Sequence, residues 1–207
     1  MRSESGIGDL PTLAQTESGD LFRQRLLDGM AKAIRERGYA DTTIADIVRH
    51  AYTSRRTFYE YFPGKKECFL ALHHRQNVET AREITAGVDP HADLATQVRQ
   101  AIQIWLSRME ANPAVELSWF REVPQLGEEG RRLHRQYQDA FVTVIRRLTD
   151  TDDLRAAGVQ PASRQTVIML LGGLNELAAV MLEDGGDIRD ITDAAVDCTL
   201  ALLGPRH

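Results

Sequence analysis

Apolar residues recur every three or four positions along most of this chain, which is the spacing of amphipathic helices. Turns rich in Gly, Pro, Asn and Asp interrupt the pattern and mark where one helix ends and the next begins. The periodic stretches predict helices over residues 21–37, 44–51, 55–62, 65–85, 94–109, 117–123, 128–149, 167–182 and 188–203. We therefore expect an all-α fold.

Two short helices near the N-terminus form the most informative part of the pattern. Thr42 or Thr43 can cap the first, and Ser54 can cap the second only a few residues later. Two short helices joined by a tight turn form a helix-turn-helix. The second helix places Phe58 and Phe62 on its inward side and hydrogen-bond donors on its outward side. Such a helix fits the major groove of DNA.

The segment from Ser54 to Glu67, Ser-Arg-Arg-Thr-Phe-Tyr-Glu-Tyr-Phe-Pro-Gly-Lys-Lys-Glu, resembles the recognition helix and exit of the TetR family of transcriptional regulators. The resemblance covers about residues 21–72. It implies an all-helical homodimer with an N-terminal three-helix helix-turn-helix domain and a larger C-terminal helical bundle domain for effector binding and dimerisation. By position, it assigns DNA contacts to Thr43, Ser54, Arg55, Arg56, Thr57, Tyr59, Tyr61 and Lys65.

One residue departs from the family pattern. Tyr52 stands in the turn where the family usually has Gly. A left-handed backbone would be strained for Tyr, so we expect either a variant turn or a different end to the first short helix.

The charge distribution agrees with a DNA-binding segment at this place. The whole chain has a net charge of −5, but residues 21–67 carry ten Lys or Arg against six Asp or Glu, a local charge of +4. Positive charge is what counter-ion release at phosphates requires, and an acidic remainder discourages nonspecific wrapping of DNA.

The chain is expected to comprise three segments. Residues 1–20 lack helical periodicity and resemble neither a signal peptide nor a membrane anchor, so they are interpreted as a disordered arm. Residues 21–67 would form the DNA-binding domain, and residues 68–207 the effector-binding and dimerisation domain. Cys68 and Cys198 lie far apart and form no CxxC pair, which favours free thiols in a reducing cytoplasm.

Aromatic residues and Met concentrate in the middle of the second domain, where an apolar effector cavity between helices is plausible. Core packing is the competing interpretation, because such residues at helical spacing belong to cores more often than to ligand sites. The adjacent His73 and His74 are not spaced three or four apart, so they are interpreted as solvated or hydrogen-bonded rather than as a metal pair. The candidate effector contacts are Trp105, Met109, Trp119, Phe120, Tyr137 and Phe141.

The last two long helices carry the predicted dimer interface. The stretch 167–182 is apolar nearly all round; it is interpreted as too short and too polar for a membrane span, and so as buried on two sides. Together with the small-residue face of the last helix, it would form a four-helix bundle across a two-fold axis. The candidate interface residues are Ile168, Gly172, Gly173, Leu177, Ala194, Cys198 and Leu202.

The leading hypothesis is a dimeric repressor that binds near-palindromic operator DNA and is released by a small apolar effector. A related alternative is a regulator that activates or needs no effector. A different class would be a helical ligand carrier or enzyme that keeps the basic domain only as a scaffold. The chain has no Gly-rich phosphate loop, nucleophile elbow, HExxH or Cys/His metal spacing, so no catalytic residues, cofactor or metal are expected.

Overall fold

The computed structural model describes residues 11–205, with side chains from residue 20 onward. Over this range the secondary structure is helical, without strands, as the apolar spacing predicts. The α-helices are α1 Pro11–Asp41, α2 Ile44–His50, α3 Arg55–Tyr61, α4 Lys65–Gly87, α5 Leu94–Ala111, α6 Pro113–Arg121, α7 Gly127–Thr149, α8 Asp152–Ala156, α9 Arg164–Glu183 and α10 Thr192–Leu203. Short 3₁₀ helices occupy Val123–Gln125 and Ile188–Ile191.

The chain divides into two compact units, Met1–Leu72 and His73–His207. The expected boundary between residues 67 and 68 lies five residues earlier. The first turns of α4 belong with the N-terminal unit because Cys68, Phe69 and Leu72 are buried there. The Phe69 ring stacks on Tyr39 with centroids 3.9 Å apart, and the Cys68 thiol lies 4.0 Å from the Leu26 carbonyl oxygen.

Helix α1 begins earlier than its apolar spacing indicates. It starts at Pro11, ten residues before the predicted start, so the second half of the predicted arm is helical, and residues 1–10 lie outside the described range. Proline is favoured at the first position of a helix, and a stretch without an apolar stripe gives periodicity nothing to detect. Gly38, predicted to end this helix, lies inside α1 and kinks it, with non-helical φ and ψ of +74° and 169°.

The helix-turn-helix rests on α1 through a close approach of two backbones. The buried face of α1 includes Leu26, Leu27, Met30 and Ile34. Beside them, a Cβ built on Gly29 would lie only 2.5 Å from the carbonyl oxygen of Ile47. The missing side chain therefore lets α2 sit directly against α1.

The second unit is a helical bundle around α9, which packs against α6, α7 and α10, while α5 packs against α10. The stretch between the predicted helices 128–149 and 167–182 contains the short helix α8, capped by Thr151. The long stretch predicted to end the chain as one helix begins with the 3₁₀ turn Ile188–Ile191 before α10.

Helix α9 corrects one expectation. With 20 residues, it is long and apolar enough to cross a membrane by length and composition, so the interpretation that it is too short and too polar was wrong. It is the one helix in residues 11–205 that meets this test. Arg121 of α6 nevertheless pairs with Glu176 and Glu183 of α9 at 2.8 and 2.6 Å, a charged flank that belongs in a protein and water environment rather than in lipid.

Candidate nucleic-acid interface and ligand cavity

The first helix of the helix-turn-helix starts in a capping box. The Asp46 amide donates to Thr43 Oγ1 at 3.3 Å, while the Thr43 amide and hydroxyl donate to the Asp46 carboxylate at 3.0 and 2.6 Å. These hydrogen bonds lower the pKa of Asp46, and so do the charges of Arg37 and Arg49. Both donors of Thr43 are thus used in positioning α2. A contact of Thr43 with DNA stays a prediction.

The turn between α2 and α3 has a residue with left-handed backbone, although this residue is Tyr52 and not the Gly usual in the family. Tyr52 has φ +51°, so the expected variant turn was wrong. The Thr53 amide donates to the Val48 carbonyl at 3.0 Å, closing the end of α2. Arg25 of α1 adds a hydrogen bond of 2.9 Å to the Tyr52 carbonyl. This role of Arg25 has no sequence signal, because the two residues are 27 positions apart.

Helix α3 presents two contrasting faces. Ser54 caps it, since the Thr57 amide donates to Ser54 Oγ at 3.1 Å. Phe58 is fully buried, and Phe62 nearly so, which fixes the orientation of the helix. The opposite face exposes two guanidinium groups and a phenol, those of Arg55, Arg56 and Tyr59.

The exposed side chains of α3 differ in how many contacts they make within the protein. Arg56 forms a loose ion pair with Glu60 at 3.4 Å. Arg55 has no hydrogen bond or ion pair with any described residue. Tyr59 leaves 58% of its surface exposed, its ring edge against Phe58. This face offers donors for phosphates and base edges at little cost in broken contacts.

The last two predicted DNA contacts lie where α3 gives way to α4. Tyr61 is half-buried. Lys65 Nζ donates to the carbonyl oxygens of Tyr39 and Ala40 at 3.0 and 3.1 Å and lies 4.5 Å from the Tyr39 ring centroid. An ammonium group has three donors, so one remains for a phosphate. Lys65 therefore also ties α4 to the end of α1.

The second unit encloses a cavity of about 90 Å³, called the main cavity below. Its wall is almost entirely apolar and comes from α4, α5, α7, α9 and α10. Three of the six predicted effector contacts line it. These are Trp105, Tyr137 and Phe141. The α4 residue on its wall is Ile84.

A second, much smaller space of about 10 Å³, called the head pocket below, adjoins the main cavity. Trp105 and Tyr137 line both spaces. The other predicted effector contacts, Met109, Trp119 and Phe120, lie around the head pocket rather than the main cavity. Its remaining wall is polar and was not predicted, comprising Asn77, Thr80, Arg108 and Glu116.

Three titratable groups lie around these spaces: His73 and Tyr137 are buried, and Glu116 is half-buried. Burial raises the pKa of Glu116 to about 7, against the opposing effect of the Arg108 charge. Burial also raises the pKa of Tyr137, helped by Glu116, while a hydrogen bond with Asn175 lowers it. Burial lowers the pKa of His73 to about 3. The site therefore contains a carboxyl group near half-ionisation at neutral pH and a neutral histidine.

The two adjacent histidines agree with their sequence interpretation. The His73 ring lies 3.2 Å from Ser118 Oγ and packs beside Trp119, whereas His74 is exposed. One is hydrogen-bonded and the other solvated. Within the described residues, no three His, Cys, Asp or Glu side chains are grouped to hold a metal ion.

Helices α9 and α10 leave apolar surface uncovered in the single chain. Met169, Leu177 and Val180 of α9 are 67%, 37% and 43% exposed. Between them, a Cβ on Gly172 or Gly173 would meet nothing within 4 Å. On α10, Ala194 and Cys198 are exposed, while Leu202 and the α9 residue Ile168 are half-buried.

The family model for bacterial regulatory proteins of the tetR family matches residues 26–72. The HTH-type transcriptional regulator Rv1255c of Mycobacterium tuberculosis is 28% identical over 111 residues, covering 53% of this chain and 54% of that protein. The HTH-type transcriptional regulator BetI of Brucella anthropi is 27% identical over 119 residues, covering 56% of this chain and 61% of that protein. The chain thus spans little more than half the length of these relatives.

Solved structures match over nearly the whole chain. The fatty acid degradation regulator FadR of Bacillus halodurans has a TM-score of 0.74 at 17% identity, covering 90% of this chain and 97% of that one. FadR of Bacillus subtilis, solved in complex with stearoyl-CoA, has a TM-score of 0.73 at 15% identity, covering 89% and 99%. A TetR-family regulator of Pectobacterium atrosepticum has a TM-score of 0.65 at 25% identity, covering 92% and 98%.

These relatives and neighbours are transcriptional regulators rather than enzymes. The solved structures share the fold over nearly the whole chain. The family model covers the segment from α1 to α4 that carries the helix-turn-helix. Residues 26–72 thus match the TetR family of bacterial regulatory proteins, and the chain has the fold of TetR-family structures.

Proposed function

We propose that this regulator is a cytoplasmic homodimeric repressor that binds near-palindromic operator DNA through α3 and is released by a small, largely apolar effector. The observation that carries the DNA-binding part is the free face of α3. Arg55, unpaired among the described residues, lies beside the exposed Tyr59 on a helix whose other face is buried. Groups already held in position need little ordering to meet the major groove.

The dimer is supported by the uncovered face of α9 and α10. A cluster of exposed apolar side chains on one helix normally marks an interface, and the open space over Gly172 and Gly173 permits a partner helix to approach closely. A two-fold axis would place two α3 helices at two half-sites, which a single short helix cannot read alone.

Effector control is supported by the main cavity. Its wall includes Ile84 of α4, the helix that starts at Lys65 directly after the recognition helix. The cavity of about 90 Å³ is smaller than the several hundred Å³ of typical ligand sites, so a ligand of ordinary size must displace wall residues. Displacing Ile84 would favour one position of α4 over another, and that difference can shift the spacing of the recognition helices. The stearoyl-CoA complex of FadR is a precedent for a ligand with an apolar acyl chain in this fold.

The test is binding of the purified full chain to DNA flanking its own gene, by footprinting and by titration at two salt concentrations. We expect a protected near-palindrome whose affinity falls as salt rises. Arg55→Ala should lower operator affinity by about tenfold to a hundredfold, as the loss of a base or phosphate contact does. Arg147→Ala is the matched control, since it removes an exposed arginine from α7. Equal loss in both variants, or no loss in either, would contradict the assignment of α3.

A further inference from the structure

The unexplained feature of the second unit is the carboxyl group of Glu116. Glu116 makes no hydrogen bond or close ion pair with any described residue, although it lies in the wall of the head pocket. Arg108, the cation whose charge acts on it, is already engaged with two other carboxylates. Arg108 donates to Glu83 and pairs with Glu79 of α4, at 2.8 and 3.4 Å.

The charged groups around the head pocket therefore leave negative charge in excess. The two positive charges, on Arg108 and Arg75, are balanced by the two negative charges on Glu79 and Glu83. Arg108 pairs with both glutamates, and Arg75 lies 4.0 Å from Glu79. Ionised Glu116 adds a negative charge that nothing in the described residues balances. A half-buried carboxylate without a partner is less well solvated than an exposed one, and a bound cation would offset that cost.

The rings around Glu116 favour the same ligand charge. Trp105, Trp119, Phe120 and Tyr137 all line the head pocket with the carboxyl group. The faces of aromatic rings carry negative potential, so a cation enclosed by several of them is attracted from each side. An anion in the same place would be repelled by both the ring faces and the Glu116 carboxylate.

The two spaces also fit a ligand with two chemically different ends. The head pocket, at about 10 Å³, holds a group about the size of one water molecule, which describes a primary ammonium but not a bulkier head. The main cavity is apolar and shares the Trp105 and Tyr137 walls with the head pocket, so a ligand that occupies both spaces must pass these two side chains. Near this junction Asn175, the hydrogen-bond partner of Tyr137, keeps its Oδ1 atom buried without a donor. An ammonium N–H could supply one.

We propose that the effector is a primary amine with an apolar body, whose ammonium group binds beside Glu116 in the head pocket while the apolar part fills the main cavity. This inference rests on the proposed effector control. The buried nitrogens Asn77 Nδ2 and Arg108 Nε also line the head pocket without acceptors. They favour the competing ligand, a carboxylate, which is therefore one arm of the test.

The test compares three compounds that share one apolar body: 3-phenylpropylamine, 3-phenylpropan-1-ol and 3-phenylpropionate. Binding to the full-length chain is measured at pH 8 by calorimetry and by quenching of the Trp105 and Trp119 fluorescence. The amine should bind at least tenfold more tightly than the alcohol and the carboxylate. Glu116→Gln should weaken amine binding at least tenfold and change alcohol binding less than about twofold. Glu122→Gln, which alters a carboxyl group outside both pockets, is the control.

The pH profile separates a charge effect from a change of shape. The pKa of Glu116 is about 7, so amine affinity should rise about tenfold from pH 6 to pH 8 in the natural protein and stay level in Glu116→Gln. The groups around Glu116 do not mimic this effect. Burial lowers the pKa of His73 to about 3 and raises the pKa of Tyr137, so both groups stay neutral over this range. Burial also lowers the pKa of His134, the other ring against Trp119.

Each outcome bears on a different proposal. Tighter binding of the carboxylate, binding of none of the three compounds, or amine binding that Glu116→Gln leaves unchanged would overturn the amine assignment. Glu116-dependent amine binding that does not release operator DNA would uphold the ligand class and contradict the proposed effector control. Release of the operator by an unrelated compound, without amine binding, would uphold the control and contradict the ligand class.

Discussion

Tyr52 shows how a single residue can break a local rule without breaking the motif. Its left-handed backbone is one that only Gly adopts without strain, yet the turn keeps its hydrogen bonds, and the side chain is 82% exposed. The Arg25 guanidinium holds the Tyr52 carbonyl from the neighbouring helix. The strain is thus offset by contacts that the sequence around Tyr52 does not contain.

Replacing Tyr52 with Gly should leave the DNA-binding unit as stable or up to about 1 kcal/mol more stable. The substitution releases backbone strain of about 1 to 2 kcal/mol, and the greater freedom of Gly in the unfolded chain removes about half of that gain. Tyr52→Val should instead destabilise it, because a β-branched residue tolerates positive φ poorly. Denaturant unfolding of the three proteins gives the comparison. A Gly variant less stable than the Val variant would contradict the assignment of strain to the positive φ of residue 52.

His73 makes the stability of the second unit depend on pH. Burial lowers its pKa from 6.5 in the unfolded chain to about 3, so the folded state binds fewer protons between these values. The stabilisation is complete above pH 6.5 and is lost as pH falls, by about 2 kcal/mol at pH 5. His73→Gln should lack this loss, while His74→Gln, at an exposed position, should retain it. Urea unfolding at pH 7 and pH 5 tests the difference; parallel behaviour of the two variants would contradict it.

At the level of elements, apolar spacing predicts which face of a helix is buried but not what covers it. The caps at Thr43 and Ser54 are local hydrogen-bonding patterns, and the structure contains both. The contact between Lys65 and the end of α1 is not local, since it spans 25 and 26 positions. A resemblance that assigns Lys65 to DNA gives no indication of this second role.

The candidate ligand site shows the same division. Aromatic residues could be placed near a cavity because they recur on the inner faces of α5, α6 and α7. Glu116 could not, because a glutamate in a helix is usually solvated and only packing puts this one in a pocket wall. The early start of α1 escaped prediction because residues 11–20 carry no apolar stripe.

Gly29 is the position where two elements meet most closely. Gly29→Ala should destabilise the DNA-binding unit by about 1 to 3 kcal/mol, because its Cβ would lie 2.5 Å from the Ile47 carbonyl and force α2 away from α1. Ala is otherwise the better helix former, so Gly172→Ala on α9, with open space around it, is the control and should be neutral or stabilising in each subunit. Thermal unfolding followed by circular dichroism measures both. A stabilised Gly29→Ala protein would refute the close approach.

For the whole molecule, assembly and DNA binding are linked through α9. Gly173→Leu should weaken the proposed dimer while leaving each subunit folded, because a Cβ at this position has open space within its own chain, whereas the larger side chain would block a partner helix. Thr143→Leu, on the exposed face of α7, is the control. Sedimentation velocity gives the oligomeric state. A Gly173→Leu protein that sediments as the natural one would remove this helix from the interface.

The main cavity has a mechanical consequence as well. Unfolding fills this space of about 90 Å³ with water, so the unfolded second unit occupies less volume than the folded one. Hydrostatic pressure should therefore unfold the second unit more readily than its packing elsewhere implies. A ligand that fills the space removes this volume change, so resistance to pressure would reveal an occupant even when it leaves no optical signal.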